Sequence, residues 1–416
     1  MHITTRLALA LLLPAPFAGA LAAVPTWSDI ELQARSNLLV NDNGWNLPPG
    51  SSFNSISAAI NDTAQVAFTV GVVPGAGGSH PGLWTGASGS GALVYEGPAD
   101  SGISPEASIN ATGRIVFTMR DTGTQDGLYL YDPVAGVAAR VNTLPVIPNS
   151  YSSPGINSAG AIGYQAVFSS GRALASTLGT NTVIHAGDGG VSPGSPYTYI
   201  YTPAFDGQRR IAVKVATSPD MSTEQEIRLF AADGTSTRIL ANQAVDPASL
   251  WSGFDNGLGV NADGVVAVVA RRAADNRRVV LRSDGTTTTL IAAVDPAGTI
   301  REIEFFAPAI NVGGLVVFRG RDAAGQAIYA GDGDTLVRVV GQSTPVQTDL
   351  GSAQIGQHDS SPIFAGKPGV NTRGDVVFVA GLHPTGNNQV EWGSGVFIAY
   401  ADSSDTIFVD GFDAEP

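Results

Sequence analysis

The sequence has no cysteine, and only two of its 416 residues, Lys214 and Lys367, are lysines. Without cysteine there is no disulfide and no site for lipoprotein-type acylation, so the fold rests on packing and strand pairing alone. Charged residues make up 14% of the chain, with no long run of either sign. Binding a nucleic-acid backbone needs clustered lysine and arginine to replace released counterions, and the net charge of −14 opposes both nucleic acid and anionic membrane surfaces as partners. Beyond the first 23 residues no apolar run is long enough to span a bilayer. HExxH and paired HxH spacings are also missing, as is any amphipathic helical stretch that could follow a GxSxG elbow. What is plentiful is glycine, 51 residues, and proline, 25, beside 43% hydrophobic residues, a usage that reads as all-β with a buried core.

His2 and Arg6 precede the apolar run LALALLLPAPFAGA, and small residues follow at Ala20, Ala22 and Ala23. This pattern reads as a secretory signal peptide over residues 1–23, cleaved after Ala22 or Ala23. Pro14 and Pro16 interrupt the run and speak against a membrane anchor. Loss of the leader removes one arginine and no acid, leaving 21 basic and 36 acidic residues, a net of 21 − 36 = −15. The expected location is the medium or the outer surface of a Gram-negative bacterium.

A cassette of Asn, two free positions, Gly and a short apolar run recurs along the mature chain. It aligns seven times: INDTAQVAF from Ile60, INATGRIVF from Ile109, INSAGAIGY from Ile156, FDGQRRIAV from Phe205, VNADGVVAV from Val260, INVGGLVVF from Ile310 and VNTRGDVVF from Val370. The anchors Asn61, Asn110, Asn157, Asp206, Asn261, Asn311 and Asn371 lie 47 to 60 residues apart. Such a period belongs to repeat architectures. Within the cassette an Asn or Asp side chain accepts backbone hydrogen bonds while Gly113, Gly160, Gly264, Gly314 or Gly374 supplies positive φ, which describes a tight hairpin turn. The strand that follows is apolar on both faces, as a strand between two neighbouring sheets must be.

A second apolar stretch follows each cassette, as in GLYLYD at 127 and GVFIAY at 395, and then a turn and another strand-like run, as in TVIHAG and LVRVVG. Four short strands per unit and seven units predict a seven-bladed β-propeller of four-stranded antiparallel blades, a single domain over residues 24–404. The last unit lacks an obvious fourth strand, and DIELQARSN at 29–37 resembles the fourth strands elsewhere, so the N-terminal segment is expected to complete the last blade. The fourth unit departs from the pattern: it has Asp206 for Asn and Arg209 where Gly stands elsewhere. If it is not a blade, a six-bladed propeller or a β-solenoid is the alternative.

The cassette resembles the repeat of the choice-of-anchor tandem repeat NxxGxxAF-containing family of bacterial secreted proteins. Asn110, Gly113, Val116 and Phe117 carry the match, as do Asn311, Gly314, Val317 and Phe318, and Asn371, Gly374, Val377 and Phe378. Ala64 departs from it in the first unit, Gly163 and Tyr164 in the third, and Ala267 and Val268 in the fifth. The resemblance implies export and a repeat fold and carries no activity. The ending DTIFVDGFDAEP, residues 405–416, is similar to the IFxDGFE-like endings of exported proteins, which implies a sorting tag; the same residues also read as a last short strand and a frayed acidic end.

Residues of types that could carry chemistry occur singly, outside any recognisable motif. The mature histidines His80, His185, His358 and His383 read as scattered surface or loop residues, GDGD at 331–334 as a hairpin turn rather than a calcium loop, and Glu302 and Glu304 as the polar face of a strand, alternating with Ile303 and Phe305. Trp84, Trp251 and Trp392 read as packing and loop anchors. No residue is assigned to catalysis or to a metal, and no cofactor is expected. The reading is a monomeric, non-catalytic binding or structural propeller whose partner is an extracellular glycan or protein. The alternative is a propeller enzyme acting on extracellular glycan from the central channel. The longest inserts, before Val260 and between Leu336 and Val370, are the places expected for recognition.

Overall fold

The computed structural model describes residues 24–36, 44–53, 56–72, 80–99, 101–120, 126–141, 144–357 and 362–402. The leader, the tail at 405–416 and His358 lie outside the described residues. Seven antiparallel sheets stand around one axis as a seven-bladed β-propeller, and the described residues contain no helix. Blade 2 shows the pattern in simple form: strands Gly102–Ile109, Ile115–Arg120, Asp126–Asp132 and Val137–Arg140 run from the axis outward.

The ring closes through the N-terminus. Strand Asp29–Ser36 pairs antiparallel with Gly393–Tyr400 and becomes the outermost strand of blade 7. Both ends are then clasped: the Asp402 carboxylate accepts hydrogen bonds from the Thr26 and Ser28 hydroxyls, each at 2.6 Å, and Trp27 Nε1 donates to the Gly374 carbonyl at 3.0 Å. Buried Arg35 forks onto both oxygens of Asp349 at 2.9 and 2.8 Å and donates to the Trp392 carbonyl. Asp349 sits at the tip of an extra hairpin, Pro345–Thr348 with Gly351–Ile355, which extends the sheet of blade 7. This part of the insert before Val370 therefore braces the closing strand.

Apolar residues on both faces of each second strand explain the core. The described residues form seven hydrophobic clusters, one in each seam between adjacent blades; that between blades 7 and 1 joins Phe68 and Trp84 to Val377, Val396 and Ile398. Trp84 is fully buried, stacks on Phe68 with centroids 4.7 Å apart and donates from Nε1 to the Asn46 carbonyl.

The cassette turns form a second ring at one end of the axis. Each anchoring asparagine does two things. Its Oδ1 caps its own turn, as Asn261 does by accepting from the backbone N–H groups of Asp263 and Val265. Its Nδ2 donates to the turn of the next blade: Asn61 to Asn110, Asn110 to Asn157, Asn157 to Gly207, Asn261 to Asn311, Asn311 to Asn371 and Asn371 back to Asn61, all onto carbonyls at 3.0–3.1 Å.

Blade 4 keeps this geometry by substitution. Asp206 Oδ1 caps the turn through Gln208 and Arg210, but a carboxylate has no N–H to pass onward. Arg210 binds Asp206 Oδ2 at 2.5 Å and itself donates to the Ala262 carbonyl in blade 5 at 3.1 Å. Arg209 adopts the left-handed φ of +61° that Gly113, Gly160, Gly264, Gly314 and Gly374 adopt elsewhere, and Ala64 does so in blade 1 at +58°. The fourth unit is thus a blade with the same turn.

Two positions before each anchor stands a small residue: Ala59, Ser108, Gly155, Ala204, Gly259, Ala309 or Gly369. The innermost strands converge there, and a Cβ on Gly259 would lie 2.6 Å from the Pro308 carbonyl oxygen.

Candidate functional site

At mid-height every innermost strand loses its ladder. It is split in blades 1, 4 and 6 and shifted in register in the others, between Ile103 and Ala107, Ser152 and Gly155, Phe254 and Leu258, and Ala365 and Gly369. Pro154, Pro203, Pro308 and Pro368 lie in this zone and cannot donate a ladder hydrogen bond. Carbonyls freed by the break need other donors, because a buried unpaired carbonyl is costly.

Polar side chains from the preceding blade supply them. Gln165 donates to the carbonyls of Ile200 and Tyr201, Lys214 to that of Phe254, Arg278 to those of Ile303 and Glu304, and Arg319 to that of Gly366. Gln165, Lys214 and Arg319 each stand eight residues after their cassette anchor, so one repeat position became a row of staples. Their charges are answered locally: Arg278 pairs with Asp255, Arg319 with Glu304, and Gln326 donates to Glu304. Lys214 is 3% exposed, donates to Asn256 Oδ1 at 2.7 Å and lies over the Tyr201 ring at 3.8 Å. Burial lowers its ammonium to about 8, against the opposing pull of Asp255.

Above the staples the channel opens. A mouth of about 800 Å³ narrows to about 270 Å³ along the innermost strands and to about 160 Å³ beside the Asn turns. Into the mouth project Phe305, 73% exposed, and Phe306, 38% exposed. Each ring is backed by a staple, Arg278 over Phe305 and Arg319 over Phe306, both at 3.8 Å from the centroid. Thr202, Asn256 and Gln357 line the same space, as does the pair of Glu106 and Lys367 at 3.4 Å.

Glu302 is exposed on its strand as read, but the reading of Glu304 is corrected. Strand pairing ends at Ile303, Glu304 turns inward to Arg319 and Gln326, and Phe305 faces the cavity. Alternation fails because the chain leaves the sheet at that point. Of the two inserts expected for recognition, the one between Leu336 and Val370 reaches the mouth, through Gln357 and Pro362 to Lys367; before Val260 the lining residues Asn256 and Leu258 belong to the innermost strand Trp251–Val260, and Phe305 and Phe306 had no signal beyond their adjacency in the sequence.

The other candidates lie elsewhere. His185 and His383 are buried, not surface residues: His185 shares a hydrogen bond with buried Ser176 at 2.8 Å, and burial holds its imidazole below the usual range. Asp332 in GDGD accepts from the backbone N–H groups of Asp334 and Thr335, which makes it the cap of a hairpin turn. Trp251 and Trp392 pack against seam clusters. Among the described residues no group of three or more His, Cys, Asp or Glu is placed to hold a metal ion, and no helix is long and apolar enough to cross a membrane.

A family of unknown function, DUF7453, matches residues 174–416, more than half of the chain. The chain belongs to this family. No curated relative matches the sequence. Solved structures similar to it include TolB from Acinetobacter baumannii, at 13% identity and a TM-score of 0.41 over 66% of this chain and 63% of that one. A Mycobacterium tuberculosis puromycin-hydrolyzing peptidase is similar at 12% identity and 0.47 over 81% and 50%, and an oligogalacturonate lyase in complex with manganese at 13% and 0.42 over 82% and 98%. This chain thus spans less than two thirds of the length of the first two. Likeness at such identities is one of fold alone and lends this DUF7453 member no activity.

Proposed function

We propose that this DUF7453 propeller is an exported protein that binds a ligand, without transforming it, at the wide mouth of its channel. One observation carries the reading. The strong charges around the mouth, on Asp255, Arg278, Glu304 and Arg319, are spent on one another and on innermost-strand carbonyls, and Glu106 and Lys367 pair with each other at 3.4 Å, while the other groups facing the cavity are Phe305, Phe306 and neutral polar side chains. General acid or base work needs a titratable group aimed at a bound substrate. Aromatic and neutral polar groups on a rigid wall instead suit recognition.

The proposal includes export through the leader at 1–23 and sorting through the tail at 405–416, in line with the resemblance to the NxxGxxAF-repeat proteins. Protein recovered from culture medium should begin at Ala23 or Val24. The binding reading is tested by hydrogen exchange on residues 24–416 with and without cell-envelope extract. Protection of 202–206, 256–258 and 305–307 supports it, and protection confined to other surfaces, or none, refutes it. Release of a soluble product from the extract would favour the enzymatic alternative.

A further inference from the structure

Resting on that reading, we propose that the mouth takes a neutral saccharide, stacked on Phe305 and Phe306 and held at its edge by amide and hydroxyl groups. Sugar rings are amphipathic, with a C–H face that packs on an aromatic ring and a rim of hydroxyls that needs paired donors and acceptors. The geometry matches both halves. Phe305 is 73% exposed although one of its faces is covered by the Arg278 guanidinium at 3.8 Å, so the opposite face is the one turned to the cavity. Phe306 repeats the arrangement over Arg319. Both arginines are pinned from behind, Arg278 by Asp255 and the Ile303 carbonyl, Arg319 by Glu304 and the Gly366 carbonyl, so the rings rest on a rigid base before any ligand arrives. Little side-chain ordering then opposes binding.

The rim supplies the other half. Asn256 gives its amide oxygen to Lys214 at 2.7 Å, which leaves the NH₂ end for the cavity, and Thr202 and Gln357 stand around the same space. These are neutral groups with both donor and acceptor capacity, as hydroxyls require. Charge decides between neutral and acidic sugars. The exposed cation at the mouth, Lys367, is matched by Glu106 at 3.4 Å, and the buried arginines are matched by Asp255 and Glu304. A uronate or phosphate would have to displace an existing partner, whereas a neutral chain displaces none. The mouth, at about 800 Å³, has room for several sugar rings.

The test uses residues 24–416 and two probes: cell-envelope polysaccharide, mock-treated or oxidised with periodate, which cleaves vicinal diols, and a panel of neutral hexasaccharides with α-1,4, β-1,4 and β-1,3 linkages. Hydrogen exchange at 202–206, 256–258 and 305–307 is followed together with calorimetric affinity. Protection should appear with the mock-treated extract and be reproduced by at least one hexasaccharide; where that hexasaccharide is 1,4-linked, periodate should abolish the protection, whereas a β-1,3 chain, whose inner rings carry no vicinal diol, resists it. Phe305→Ala should weaken that affinity tenfold or more, while Phe305→Trp retains it. Both variants should keep the wild-type melting temperature, because the side chain is mostly exposed. Protection of the mouth that no neutral hexasaccharide reproduces, or that survives periodate although only 1,4-linked hexasaccharides reproduce it, overturns the saccharide assignment while leaving the binding reading intact. No protection of the mouth under any condition defeats both.

Discussion

Replacing Arg210 by alanine isolates the one place where the ring of turns depends on a borrowed donor. Asp206 is fully buried at its side chain, and Arg210, 24% exposed there, is its ion-pair partner and the donor to the Ala262 carbonyl. Removing the guanidinium leaves a buried carboxylate facing blade 5 with no cation. Breaking a buried pair by deleting one partner costs about 3 to 5 kcal/mol, and the partial exposure of Arg210 places this case at the lower end, about 3 kcal/mol. A second change should repair the first. With Asp206→Asn added, the amide keeps the Oδ1 cap and supplies the missing NH₂, in the arrangement that Asn157 and Asn261 already use at 3.0 and 3.1 Å. About 2 kcal/mol of the loss should return, since a buried charge disappears and a buried carbonyl regains its donor. Urea unfolding of the wild type, the two single variants and the double variant forms a double-mutant cycle. If R210A/D206N is no more stable than R210A, the inter-blade role of the anchoring side chain is wrong.

Three other expectations follow from the same geometry. Ala64→Gly should raise stability by about 0.5 kcal/mol, because a left-handed φ of +58° costs an L-residue about 1 to 2 kcal/mol and glycine much less; a lowered urea midpoint would contradict this. The Lys214 ammonium falls from 10.5 to about 8 in the folded protein, so between those values the unfolded chain binds more protons and stability should rise with pH. The rise integrates to about 3 kcal/mol, and Lys214→Met should flatten it; parallel pH profiles for the two proteins would refute the assignment. A chain begun at residue 37 lacks the strand that covers Phe397 and Val396, and it should lose the cooperative unfolding transition and become protease-sensitive. Peptide 24–36 added in trans should restore protection, and native resistance without it would show that the ring closes by other means.

Much of the architecture was legible because it repeats. Asn, a left-handed position and an apolar strand recur in phase, so a local rule applied seven times gave the blade count, and the unpaired last blade pointed to the N-terminal strand. Blade 4 was harder to read. Arg209 and Asp206 break the pattern in sequence, and only in three dimensions does Arg210 take over the donor role of Asn while Arg209 accepts the left-handed turn. The small residue two places before each anchor was also present in the sequence, yet its meaning depends on strands meeting at the axis.

The mouth shows the opposite case. Gln165, Lys214 and Arg319 share one repeat position, but their residue types differ, and what unites them is the broken ladder in the next blade. Glu304 and Phe305 exchange the exposures that strand alternation assigns them because pairing stops one residue earlier. The sequence by itself determined the repeat, its turns and both apolar faces of the second strands, since these follow from backbone conformation and burial within one unit. Which side chains meet at the channel mouth was decided by the tertiary structure alone, because they come from blades far apart in the chain, as Glu106 and Lys367 do, and are brought together only when the ring closes.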